Sequence, residues 1–82
     1  MVKIYYTFGT DPRYPYLGGW VTVEAESLEK AHRIFRACFP DRTPGFLNCA
    51  DYYTEDEFMR SGMYQEGNHG AFCYQKLRLV ES

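Results

Sequence analysis

Tyrosine is commoner than leucine in this chain, and that imbalance limits what the chain can fold into. Fifteen of its 82 residues are aromatic: eight Tyr, six Phe and one Trp. Leu, Ile, Val and Phe together make up only about a fifth of the chain, near the level at which disorder begins to compete when net charge is high. Net charge here is only −2, so the rings can close a core that the aliphatics alone could not. Phenols, however, want their hydroxyls hydrogen-bonded or wet. Several amphipathic rings are therefore expected at the surface, an arrangement that suits recognition better than catalysis.

The length allows one domain, residues 1–82, with a stability of about 5 kcal/mol, because small domains bury a smaller fraction of their surface. Val2, Ile4, Tyr6 and Phe8 alternate with Lys3, Tyr5 and Thr7, the period of a strand. A long turn-rich stretch from Gly9 to Gly19 follows. Trp20 to Ala25 then alternates again, and the two strands most simply pair antiparallel. Ser27 is a good N-cap for a helix whose stripe is Leu28, Ala31, Phe35 and Cys38, and Pro40 ends it. Residues 41–53 read as irregular, with a turn at Pro44-Gly45. Thr54-Glu55-Asp56-Glu57 spells a capping box for a short helix that buries Phe58. After the glycines at 62, 67 and 70, residues 71–80 form a last strand, and the expected core joins Leu28, Ala31, Phe35 and Cys38 to Ile4, Tyr6, Val21, Val23, Leu77 and Leu79. The order is β-β-α-α-β. The expected fold is α+β: a three-stranded, mainly antiparallel sheet with one long and one short helix packed on one face.

Charge and hydropathy narrow the function. A near-neutral chain lacks the clustered Lys and Arg of bulk nucleic-acid binding. No apolar run approaches the roughly 18 residues of a membrane span. The opening Met-Val-Lys-Ile-Tyr-Tyr reads as strand and not as a signal peptide. Three widely spaced cysteines, Cys38, Cys49 and Cys73, fit reduced thiols in a cytoplasm.

Two regions stand out as binding sites. The loop Gly9–Gly19 places Asp11, Arg13, Tyr14 and Tyr16 on one proline-stiffened segment, which could hold a nucleotide or a protein partner, or could simply cover the sheet edge. On the sheet, the strand parities set Tyr5, Thr7, Trp20, Thr22, Phe72, Tyr74, Lys76 and Arg78 on the face away from the helices. Trp20 and Tyr74 would there form an exposed aromatic platform, suited to base stacking or to a protein interface. The turn Gly67-Asn68-His69-Gly70 adds Asn68 and His69, although no Lys-Ser/Thr follows to make it a P-loop.

Catalytic and metal readings are weaker. Cys49, His69 and Asp51 can be imagined as nucleophile, base and orienting acid, but nothing in their spacing supports it. The Glu55–Glu57 run is explained by capping. No close Cys or His pairs of zinc-site spacing occur, so neither metal nor cofactor is expected.

The strings Tyr5-Tyr-Thr-Phe-Gly-Thr-Asp-Pro-Arg-Tyr-Pro-Tyr16, Leu47-Asn-Cys-Ala50 and Tyr53-Thr-Glu-Asp-Glu-Phe58 resemble a group of short uncharacterised proteins carried by phages, prophages and mobile elements of Gram-positive gut bacteria. The similarity covers roughly residues 4–60 and implies a setting more than a mechanism. It implies a small non-enzymatic inhibitor that docks on a bacterial host protein, such as a CRISPR nuclease, in the host cytoplasm. The alternatives are a sponge for a nucleotide immune signal, whose pocket would lie between subunits of a homodimer, and an accessory protein of the mobile element.

Overall fold

A computed structural model describes residues 1–9 and 18–62, together with the backbone of 72–78. Six elements follow one another: β1 (Val2–Thr7), β2 (Gly19–Ala25), α1 (Leu28–Cys38), β3 (Asp51–Thr54), α2 (Glu55–Ser61) and β4 (Phe72–Arg78). They form an α+β fold around a four-stranded sheet in the order β3-β1-β2-β4. β1 runs antiparallel to both β2 and β3, with Tyr6 opposite Val21 on one side and Tyr52 on the other. β4 lies parallel to β2. Two of the three pairings are thus antiparallel, in line with the mainly antiparallel sheet expected, although the sequence predicts only the β1–β2 pair by name. The parallel pair is possible because residues 26–71 supply the long crossover that such a pair requires.

Residues 41–53, expected to be irregular, contain the additional strand β3. It has only four residues and ends directly in α2: Thr54 closes the strand and caps the helix. The Thr54 hydroxyl accepts from the Glu57 amide at 3.3 Å, and the Glu57 carboxylate accepts the Thr54 amide at 3.1 Å. The capping box is therefore formed, and the left-handed Gly62 closes the other end of the helix. Ser27 caps α1 as expected, its hydroxyl accepting from the Lys30 amide.

The placing of the helices differs from the sequence expectation. Tyr5 and Tyr6 are neighbours on β1 and so point to opposite faces of the sheet. Tyr6 stacks on Phe35 of α1 with ring centroids 4.1 Å apart, while Tyr5 stacks on Phe58 of α2 at 4.2 Å. The two helices consequently cover opposite faces. Over α1 the core is Ile4, Tyr6, Phe8, Val21, Val23 and Ala25 against Ala31, Phe35 and Phe39. Over α2 it is a smaller cluster of Tyr5, Trp20 and Phe58. Alternation assigns residues to a face but does not say what covers that face. A second face carrying Tyr5 and Trp20 was too apolar to stay wet.

Leu28 and Cys38, expected in the core, are exposed. They are the first and last residues of α1, and burial is confined to Ala31, Phe35 and the C-cap Phe39. Leu77 and Leu79, also expected there, have side chains outside the described residues.

Candidate functional site

Trp20, expected to be an exposed platform residue, is 6% exposed and packs against Phe58 at 5.2 Å between ring centroids. Thr7 and Thr22 on the same face are buried as well. On β1 and β2 the open aromatic platform is therefore replaced by a small core under α2. Tyr74 lies on β4, but its side chain is outside the described residues, as are Asp11, Arg13, Tyr14, Tyr16, Asn68 and His69. The stems of the first loop are closed: the Phe8 amide donates to the Gly19 carbonyl, and the Gly18 amide donates to that of Gly9 at 2.9 Å.

The side chains left exposed are different ones. Thr43-Pro44-Gly45-Phe46 is a tight turn in which the Phe46 amide donates to the Thr43 carbonyl at 3.0 Å. Pro in the second place and a glycine at φ 84° in the third match a type II turn. A Cβ on Gly45 would meet open space, so the backbone angle alone calls for glycine. The turn holds the Phe46 ring 68% exposed.

Beside it, His32, Arg36, Cys49, Asp51 and Tyr52 line a depression of about 380 Å³ with Phe46. Tyr6 Oη and His32 Nδ1 lie 2.8 Å apart, a hydrogen bond whose direction follows the imidazole tautomer. The Tyr52 ring meets His32 edge-on at 4.7 Å. Burial, and then the Arg36 guanidinium, lowers the His32 pKa and favours the neutral ring. Arg36 itself pairs with Asp41 at 3.0 Å. Burial pushes the Cys49 thiol up to about 12, and the Asp51 carboxylate adds to the shift. Asp51 thus weakens the nucleophile that it was imagined to assist, and the thiol stays protonated at neutral pH.

Tyr52 also forms one wall of a second depression, of about 570 Å³, where α1 begins and the first turn of α2 meets the start of β1. Met1, Val2, Ile4, Leu28 and Tyr52 make its apolar part, and Glu55, Asp56 and Glu57 its acidic part. The two depressions meet at Tyr52 and form one border of the molecule.

Sequence reasoning missed Phe46, Tyr52 and Leu28. The Pro44-Gly45 turn was the available signal for Phe46. The other two depend on where β3 and α1 sit, which is a long-range outcome.

Among the described residues, no group of three or more His, Cys, Asp or Glu could hold a metal ion, and Cys38 and Cys49 are free. Among the same residues, no helix is long and apolar enough to cross a membrane. In comparisons with known proteins, no family model, no curated protein and no solved structure matches the chain.

Proposed function

We propose that this chain is a non-enzymatic docking domain that binds another protein through the border centred on Tyr52. The observation that carries this reading is how the apolar side chains are divided. The rings of β1 and β2 are packed inside, yet Phe46, Tyr52, Leu28 and Val2 stay exposed around two adjoining depressions. Isolated exposed hydrophobics are ordinary, but a contiguous group rimmed by charge is typical of interaction sites. Aromatic residues are also enriched among those that dominate interface energies. A protonated Cys49 and a neutral His32 held by Tyr6 favour binding over nucleophilic chemistry. The resemblance to mobile-element proteins supports a bacterial host protein as the partner, such as a CRISPR nuclease, and a counter-defence role.

The test is a pull-down from lysate of a Gram-positive host, using wild type, Phe46→Ala, Tyr52→Ala and the loop variants Arg13→Ala and Tyr16→Ala. One host protein should be retained by the wild type and lost with Phe46→Ala or Tyr52→Ala. Loss in the loop variants alone would move the site to the first loop. No retained protein, together with a thermal shift on adding a cyclic nucleotide, would replace docking by nucleotide capture.

A further inference from the structure

We infer that the larger depression receives a basic, apolar segment of the partner protein, a refinement that rests on the docking reading above. Its volume of about 570 Å³ lies within the range of ligand clefts, about 300–1,000 Å³. Most of its apolar side chains are more than a third exposed, Met1 86%, Val2 37%, Leu28 41% and Tyr52 40%, around a buried Ile4. Such a shallow surface fits a chain segment lying across it better than a small molecule enclosed by it.

The wall charges choose between segments. Three carboxylates, Glu55, Asp56 and Glu57, face two cationic groups, the Lys3 ammonium and the Met1 α-amino group, which leaves the wall net negative. Lys3 Nζ lies 3.3 Å from the Glu55 carboxylate, so its charge is already matched. Glu57 accepts from the amide and the hydroxyl of Thr54, and those hydrogen bonds lower its pKa, which keeps it ionised at neutral pH. Asp56 has no ion-pair or hydrogen-bond partner among the described residues, and it is exposed. The field over the apolar floor is therefore negative, and it repels nucleic acid and anionic lipid alike. A second copy of this chain, with net charge −2, also brings the wrong sign. A segment in which Leu, Ile or an aromatic residue is flanked by Lys or Arg matches both the floor and the wall.

The probe is a library of random dodecapeptides displayed on yeast and selected on the purified full chain. Enriched peptides are then synthesised, and their binding is followed by fluorescence anisotropy at low and high salt. Two variants report on the site. Leu28→Ser removes an apolar side chain from the floor at the first position of α1 and leaves the charge unchanged. Asp56→Lys reverses the unpaired wall charge at an exposed position. Circular dichroism confirms that both remain folded.

The enriched peptides should carry Lys or Arg beside apolar residues and bind more weakly as salt rises. Each variant should weaken them by at least about tenfold. Enrichment of acidic or uncharged peptides, or basic peptides that bind both variants like wild type, would overturn the assignment while leaving protein docking intact elsewhere. A library with no enriched peptide would also overturn it, and so would self-association that Leu28→Ser abolishes. The docking reading fails separately, when the lysate pull-down retains nothing.

Discussion

At position 22 a threonine hydroxyl is fully buried on the α2 side of the sheet, and its oxygen has no hydrogen-bond partner among the described residues. A buried polar group in that state costs on the order of 1–3 kcal/mol. Valine keeps the β-branched shape and removes the hydroxyl. Thr22→Val should therefore raise stability by about 1 kcal/mol in urea titration, and a destabilised variant would show that the hydroxyl is satisfied in solution. His32 gives a second residue-scale prediction. Its folded pKa is lowered from 6.5 by burial first and by Arg36 second, whereas the unfolded chain keeps the ordinary value. The unfolded state therefore binds more protons between the two values, and stability must rise with pH across that window. The His32 contribution is complete above about pH 6.5 and is lost as pH falls toward the folded value. A His32→Gln variant should show a flatter stability profile over the same interval, measured by thermal melts from pH 7.5 down to pH 5.

Each helix is set by local signals, but its place in the fold is not. Ser27 and the Thr54–Glu57 box are decided within four residues, so both caps were legible in the sequence. The parities of β1 and β2 were legible for the same reason, since alternation is a near-neighbour property. β3 was not legible, because Asp51–Thr54 is too short to show a period and its partner lies more than forty residues away on β1. The side of the sheet that α2 covers was hidden too, because it follows from where β3 leaves the chain. Leu28 was assigned to the core by its spacing, although the first residue of a helix can complete the stripe and still lie outside the packed region. Of the candidate site, the sequence placed the Pro44-Gly45 turn but not the ring it displays. The capping box now has a consequence beyond α2 itself. It holds Phe58 over Trp20, the only tryptophan of the chain. Thr54→Ala should cost about 1 kcal/mol, the usual value of a lost N-cap, and should loosen α2 first. Hydrogen exchange in residues 55–61 should rise, and Trp20 emission should shift to the red. Unchanged emission and exchange would show that packing alone seats the helix.

For the molecule as a whole, the two cores are unequal among the described residues, and that inequality is itself testable. On one face Phe35 is fully buried in a cluster with residues of both central strands, with Tyr6 stacked on one side and Phe39 at 4.9 Å on the other. On the other face Phe58 is just as buried, but among the described residues its buried apolar companions are Tyr5 and Trp20 alone. Removing a buried phenylalanine costs about 3–5 kcal/mol, and the cost depends on how far the surroundings can relax. Around Phe35 they cannot relax without separating α1 from β1 and β2, so the loss is about as large as the whole stability of a domain this size, about 5 kcal/mol. Around Phe58 a seven-residue helix can shift and let water reach the site, which limits the cost. Phe35→Ala should therefore abolish the cooperative thermal transition. Phe58→Ala should keep a transition at lower temperature, with Trp20 already solvent-exposed below it. The two variants are compared by circular dichroism for the sheet and by tryptophan fluorescence for the α2 face. A cooperatively folded Phe35→Ala protein would overturn the assignment of the main core to the α1 face. Loss of all structure in Phe58→Ala would show that the sheet cannot stand without α2, and that the two faces fold as one unit.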